Sequence, residues 1–222
     1  MSDPNTLLDE ATLTSAAQLN VYDAQGKKVK FGSIYAENKT VVVFIRHFLC
    51  GNCQSYVTAL AQATAPETLK TANVHLAVVG CGDPGFIREY AERTGFHGAM
   101  YADPDRKVFR ALDMNIETLD RTPAGQEPKK YLPQGNIVTR AVGGITVSGT
   151  TLRLRRRELM LRDVAASFQE PVAAGKQGKI SQLGGEFILG PGNVCTFASR
   201  MKHTEDHVEV DELLKHAGIG GV

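Results

Sequence analysis

Cys50 and Cys53 stand with two residues between them in "FIRHFLCGNCQSYV" (Phe44 to Val57), directly after an apolar run. A Cys-x-x-Cys pair can cycle between dithiol and disulfide, ligate a metal, or simply pack in a core. Redox work asks for the first cysteine at a helix start. There, unpaired backbone N–H groups and the positive end of the helix dipole stabilise a thiolate and lower the thiol pKa from about 8.5. Two cysteines three apart on one turn also reach disulfide geometry. Cys50 is then the more exposed, attacking thiol, and Cys53, one turn in, resolves the mixed disulfide. Arg46 and His47, just upstream, are candidates to place positive charge beside that thiolate. A metal site would need two further ligands, and the chain has no second Cys-x-x-Cys. It would have to recruit Cys81, Cys195, His47, or the pair His203 and His207.

The redox reading requires a strand before the pair and a helix after it. "TVVVFIRHF" (Thr40 to Phe48) is rich in β-branched and aromatic residues without polar alternation, as in a strand buried on both faces of a parallel sheet. Residues Cys53 to Ala63 continue as a helix, and Pro66 closes that region. "NVHLAVVG" predicts a second buried strand, with Asp83 as N-cap, Pro84 at the first helical position and Gly95 as the stop of the next helix. "GAMYA" and the segment opened by Asp103-Pro104 repeat the device. This alternation predicts an α/β fold with a central, mostly parallel sheet flanked by helices. A short helix over Leu7 to Leu19 and a hairpin turning at Ala24-Gln25-Gly26 precede it.

From about residue 115 to 182 the pattern lapses, which predicts an insertion within a single domain spanning 1–222. It holds "RTPAGQEPKKYLPQG" and an amphipathic helix, "TLRLRRRELMLRDVAASF", with Met160, Val164 and Phe168 on one side. "GEFILG" and "NVCTFASRM", joined by a turn at Gly190 to Asn193, then form a closing hairpin. A helix from about Asp211 to Ala217 ends at Gly218.

Other candidate residues have plainer explanations. Cys81 follows the second strand, on the sheet edge where open α/β folds carry their sites, so it is a third thiol able to hold a substrate sulfur, or an inert one. Cys195 reads as core. Arg153, Arg155, Arg156 and Arg157 form a cluster suited to a planar anion, or a solvated helix face. His203-Thr-Glu-Asp-His207 reads as a polar loop.

Apolar residues make up 42% of the 222-residue chain and charged residues 22%, a globular composition that can bury a core without disulfide staples. The 25 Lys and Arg against 24 Asp and Glu argue against wholesale nucleic-acid binding and leave room for a local basic patch. No apolar run approaches the 18 or so residues of a membrane span, and the N-terminal stretch lacks a signal-peptide pattern. The expected compartment is the cytoplasm, where thiols stay reduced and cysteines serve chemistry rather than staples. No organic cofactor is expected.

"VVVFIRHFLCGNCQSYVTAL", together with "GGEFILGPGNVCTF" and "HTEDHVEVDELL", resembles the AhpC/TSA antioxidant-enzyme-domain family of peroxiredoxin-like proteins, within the thioredoxin-like superfamily. The resemblance runs from about Leu19 to Leu214, weakly through the insertion, and is most specific over Arg-His-Phe-x-Cys-x-x-Cys. It implies a thioredoxin-like fold and a thiol–disulfide or peroxide-reducing activity, with Cys50 peroxidatic or attacking and Cys53 resolving. Where that family has Pro and Thr before the reactive cysteine, this chain has Val43 and His47. Thioredoxins also carry a cis-proline opposite their cysteines, whereas "SQLGGEFIL" has none; Gly184 and Gly185 would let a substrate backbone come close there. Implied partners are a small disulfide, thiol or peroxide substrate and an external thiol reductant of glutathione or thioredoxin type, with a homodimer left open. The rival readings are a redox-inactive thioredoxin-fold binding or regulatory protein and, third, a metal-binding protein.

Overall fold

In a computed structural model of the chain, which describes residues 3–133 and 176–219, strand β3 (Lys39–His47) is buried from Thr40 to its end. It pairs in parallel with β4 (Val74–Cys81), which pairs in parallel with β5 (Ala99–Ala102). Antiparallel strands extend this parallel centre on both sides. The hairpin β1 (Asn20–Tyr22) and β2 (Lys28–Lys30) joins at β5; β6 (Gly185–Leu189) and β7 (Cys195–Arg200) join at β3. The order is β2-β1-β5-β4-β3-β6-β7 among the described residues.

The period-two alternation of β3 divides its side chains between two apolar clusters. Val41, Val43 and Ile45 face one side with α2 (Gly51–Ala63), α4 (Ile87–Thr94) and α6 (Val210–Ala217), through residues such as Val57, Leu60, Tyr90 and Leu213. Val42 and Phe44 face the other, against Leu13 and Ala16 of α1 (Glu10–Ala17) and Val108 and Phe109 of α5 (Lys107–Ala111). A strand covered on both faces has no use for polar alternation, which explains the uninterrupted Val-Val-Val-Phe-Ile run.

Local signals set the element ends. The Asp83 carboxylate accepts the Gly85 N–H at the start of a 3-10 turn that leads into α4, and Gly95 (φ +66°) and Gly218 (φ +83°) end α4 and α6 in the left-handed conformation. Asp103 works one turn later than a simple cap: its carboxylate accepts N–H groups of Lys107, Val108 and Phe109. Pro66 corrects the sequence reading. It opens a further helix, α3 (Pro66–Ala72), at the first helical position, where the missing N–H costs nothing, instead of merely closing α2. The expected arginine-rich helix and its Arg153, Arg155, Arg156 and Arg157 lie outside the described residues.

Candidate functional site

The loop between β3 and α2 is fixed from below by Phe48. Its ring fills the space over Gly80, where a Cβ would lie 2.8 Å from it, and meets Tyr90 edge-on with centroids 5.4 Å apart. The Cys50 N–H donates to the His47 carbonyl at 3.1 Å, turning the chain so that Cys50 becomes the N-cap of α2. The cap is made by sulfur: Cys50 Sγ accepts the Cys53 backbone N–H at 3.4 Å. No acidic residue occupies the first turn of α2, so no carboxylate competes for the positive end of its dipole.

Arg46 supplies the charge. Its Nη1 donates to Cys50 Sγ at 3.5 Å, while Nη2 and Nε donate to the carbonyls of Ile180 at 2.6 Å and Gln182 at 3.4 Å. The guanidinium is thus held by backbone and aimed at sulfur. The Cys53 thiol hydrogen bond and the Arg46 charge outweigh burial and pull the Cys50 pKa down to about 6. Cys53 goes the other way: complete burial and the neighbouring Cys50 sulfur push its thiol well up. Cys50 is 6% exposed and Cys53 0%, and both are free thiols. The arrangement pairs a thiolate at the rim with a protonated thiol beneath it, which suits attack by one and resolution by the other.

His47 supplies no charge. Burial, helped by the Arg46 guanidinium, lowers its pKa to about 4, so it stands neutral beside the pair with Nδ1 buried and unpartnered. Cys81 is fully buried in the cluster on the opposite sheet face from the pair. Its Sγ donates to the Arg46 carbonyl at 2.8 Å, Gly178 closes over it, and burial raises its pKa to about 11. Gly184 and Gly185 serve the sheet itself. A Cβ at Gly184 would lie 1.7 Å from the Phe44 carbonyl and one at Gly185 2.4 Å from that of Ser199, so the room anticipated for a substrate backbone is filled by the protein's own strands. Gly80-Cys81-Gly82-Asp83-Pro84-Gly85 has the G-x-G-x-x-G spacing found in dinucleotide sites. Here the Phe48 ring, the Gln177 carbonyl and the Asp83 carboxylate fill the three glycine positions.

His203 to His207 forms a loop, as expected, but a buried one. Glu205 holds it through Arg121 at 3.0 and 3.1 Å and through the Thr122 hydroxyl and N–H at 2.7 and 3.2 Å. His207, fully buried, contacts the equally buried Glu186 of β6 through Nδ1. Its ring stacks on Tyr56 of α2 with centroids 4.3 Å apart. No group of three or more metal-ligating side chains occurs among the described residues. Glu186 and Tyr131 escape the sequence reading, and His207 enters it only as a loop residue or metal ligand, although a lone glutamate inside the apolar "GEFIL" strand is a signal that could have found the first.

A model of the AhpC/TSA antioxidant enzyme family matches residues 59–203, about two thirds of the chain, beginning just after the cysteine pair. Human "Peroxiredoxin-like 2C" is 33% identical over 209 residues, covering 92% of this chain and 80% of that protein. The chain belongs to the AhpC/TSA antioxidant enzyme family. The Arabidopsis thaliana "Thioredoxin-like protein AAED1, chloroplastic" is 28% identical over 106 residues, 48% of this chain and 42% of that one. Among solved structures, the Xanthomonas campestris bacterioferritin comigratory protein superposes with a TM-score of 0.53 at 12% identity, covering 92% of this chain and 95% of that one. That likeness places the thioredoxin-like fold expected from the sequence on firm ground. No described helix is long and apolar enough to cross a membrane.

Proposed function

We propose that this family member is a dithiol oxidoreductase of small electrophiles. The Cys50 thiolate attacks a hydroperoxide or low-molecular disulfide, taking one half of it onto sulfur while the other half leaves with the bonding electron pair. Cys53 sulfur then displaces the first half, closing a Cys50–Cys53 disulfide that an external thiol of glutathione or thioredoxin type reduces. The observation that carries this reading is Cys50 Sγ in the N-cap position of α2, receiving the Cys53 N–H and the Arg46 guanidinium together. Its slight exposure, 6%, favours a small substrate over a folded protein. The cytoplasm, with its reducing thiol pool, suits such a cycle.

Near-complete burial of both sulfurs is also what a redox-inactive binding protein would show, and that is the second reading. Thiol-dependent consumption of hydrogen peroxide, compared with reduction of low-molecular disulfides, separates the two substrate classes. Loss of both on Cys50→Ser supports the enzyme. A Cys50→Ser protein retaining full biological function supports the binding role.

A further inference from the structure

A guanidinium on a long, rotamer-rich side chain holds a thiolate only where something fixes its direction. For Arg46 that is the turn from Lys179 to Gln182, closed by the Gln182 N–H on the Lys179 carbonyl at 3.1 Å. One side of this turn pairs with the segment after α5. The Ser181 carbonyl accepts the Thr118 N–H at 2.9 Å and the Leu183 N–H donates to the Ile116 carbonyl at 3.2 Å, around an antiparallel bridge between Glu117 and Gln182. The carbonyls of Ile180 and Gln182 are left to Arg46, which donates to them through Nη2 and Nε while Nη1 donates to Cys50 Sγ. The Arg46 main chain is fixed separately, by the Cys81 thiol on its carbonyl. Where those two carbonyls stand therefore sets where the charge on Cys50 stands.

The side chain of Gln182 locks the turn. It is 1% exposed, and its Nε2 donates to the Met114 carbonyl at 2.9 Å and the Leu183 carbonyl at 2.7 Å. Its Oε1 accepts Arg106 Nη1 at 3.2 Å, so both amide donors and one lone pair are used. Arg106 is held in turn by an ion pair with Glu117, whose other oxygen meets Lys179 Nζ at 3.4 Å. It makes these contacts from a left-handed backbone, φ +56°, a conformation that costs a non-glycine residue free energy. An apolar side chain would fill the volume of Gln182 with nothing to desolvate, so packing alone does not call for an amide at this position.

Building on the dithiol reading above, in which Cys50 attacks as a thiolate, we propose that Gln182 is a positioning residue for Cys50: it fixes the two carbonyls that aim the Arg46 guanidinium at the sulfur. A connected chain of contacts then runs from the partly exposed Glu117 through Arg106, Gln182 and Arg46 to Cys50. Gln182 spends its own side-chain hydrogen bonds on backbone and on Arg106, so it acts on the sulfur through Arg46. Without the amide, the turn loses its ties to Met114, Leu183 and Arg106, and the two carbonyls drift. The guanidinium drifts with them, and its attraction for the thiolate falls with distance.

The test is the pH profile of Cys50 alkylation by iodoacetamide in the intact protein, assigned by peptide mapping. It compares the native protein with Gln182→Met, each with Arg46 present and with Arg46→Met. Methionine keeps the length and volume of Gln182 and removes the amide. The midpoint is expected to rise from about 6 by about 1 unit, the low end of the range for a nearby opposite charge, a roughly 9-fold fall in thiolate at pH 5. With Arg46 already replaced, Gln182→Met adds no further rise. A purely structural Gln182 lowers Tm and leaves the midpoint where it was, and that result overturns the proposal. An equal rise with and without Arg46 overturns it as well. If Gln182→Met does not fold, Arg106→Gln loosens the same amide from its partly exposed side and is read by the same two criteria. The dithiol reading is judged apart, by mapping the native protein after oxidation with a small disulfide. Absence of a Cys50–Cys53 bond there refutes that reading, whereas the bond formed together with a midpoint indifferent to Gln182 refutes only the positioning role.

Discussion

Replacing Arg46 by Met removes the guanidinium that donates to Cys50 while keeping a side chain of similar length. At the observed 3.5 Å, the gross attraction between unit charges is about 5 kcal/mol at an effective dielectric of about 20. An opposite charge at such range typically shifts a pKa by about 1–3 units, so Cys50 should rise from about 6 to about 8. The rate against a small chromogenic disulfide does not simply follow thiolate fraction, because nucleophilicity grows with thiol pKa with a slope of about 0.4–0.5. A rise of about 2 units makes each thiolate roughly 8-fold more reactive. At pH 5 the thiolate population falls about 90-fold, so the variant reacts about 10-fold more slowly; at pH 7 the two effects nearly cancel; at pH 9 the variant is about 7-fold faster. Stopped-flow rates from pH 4 to 10, assigned to Cys50 by peptide mapping, give the midpoint directly. Arg46→Lys keeps the charge and should keep a low midpoint, which controls for the two backbone carbonyls left without donors. A midpoint near 6 in Arg46→Met refutes the argument that this guanidinium holds the thiolate.

His47 titrates at about 4 in the fold and near 6.5 when unfolded. A lowered folded pKa means its contribution is present above about 6.5 and lost as pH falls through about 4, some 3 kcal/mol in all. Urea unfolding of His47→Gln at pH 7 and pH 4 should therefore show a flatter acid-side loss than the native protein; an equal loss contradicts the assignment. Gly184→Ala drives a methyl into the Phe44 carbonyl and should cost about 3 kcal/mol, a fall of roughly 10 °C in Tm by calorimetry; an unchanged Tm contradicts the close approach. Cys81, sealed on the far sheet face, should resist maleimide until the protein unfolds, and Cys81→Ser should leave the rate of dithiol closure unchanged. Slower closure would instead support a relay through that thiol.

The cysteine pair and its strand-to-helix setting are legible because they are local: the β-branched run, the Cys-x-x-Cys and the helix after it lie within 25 consecutive residues. The closing hairpin and α6 are legible for the same reason, through a turn at Gly190 to Asn193 and a stop at Gly218. Arg46 and His47 are equally close in sequence, yet only the fold separates them. Alternation along β3 and a bulge near its end give the guanidinium to sulfur and leave the imidazole desolvated. Glu186 and His207 lie 21 residues apart on either side of β7, and they meet once β7 pairs with β6 and the Glu205 loop is pinned by Arg121. Nothing local in "HTEDH" separates a solvated loop from a buried one. Gly184 and Gly185 mark close approach, but which backbone approaches is a matter of register.

The measurement that bears most directly on the account is peptide mapping of native protein treated with one equivalent of hydrogen peroxide and quenched by alkylation. The account predicts a single peptide carrying a Cys50–Cys53 disulfide, with Cys81 and Cys195 recovered as alkylated thiols. Recovery of both Cys50 and Cys53 as free thiols, or linkage of Cys50 to either of the other two, would contradict it.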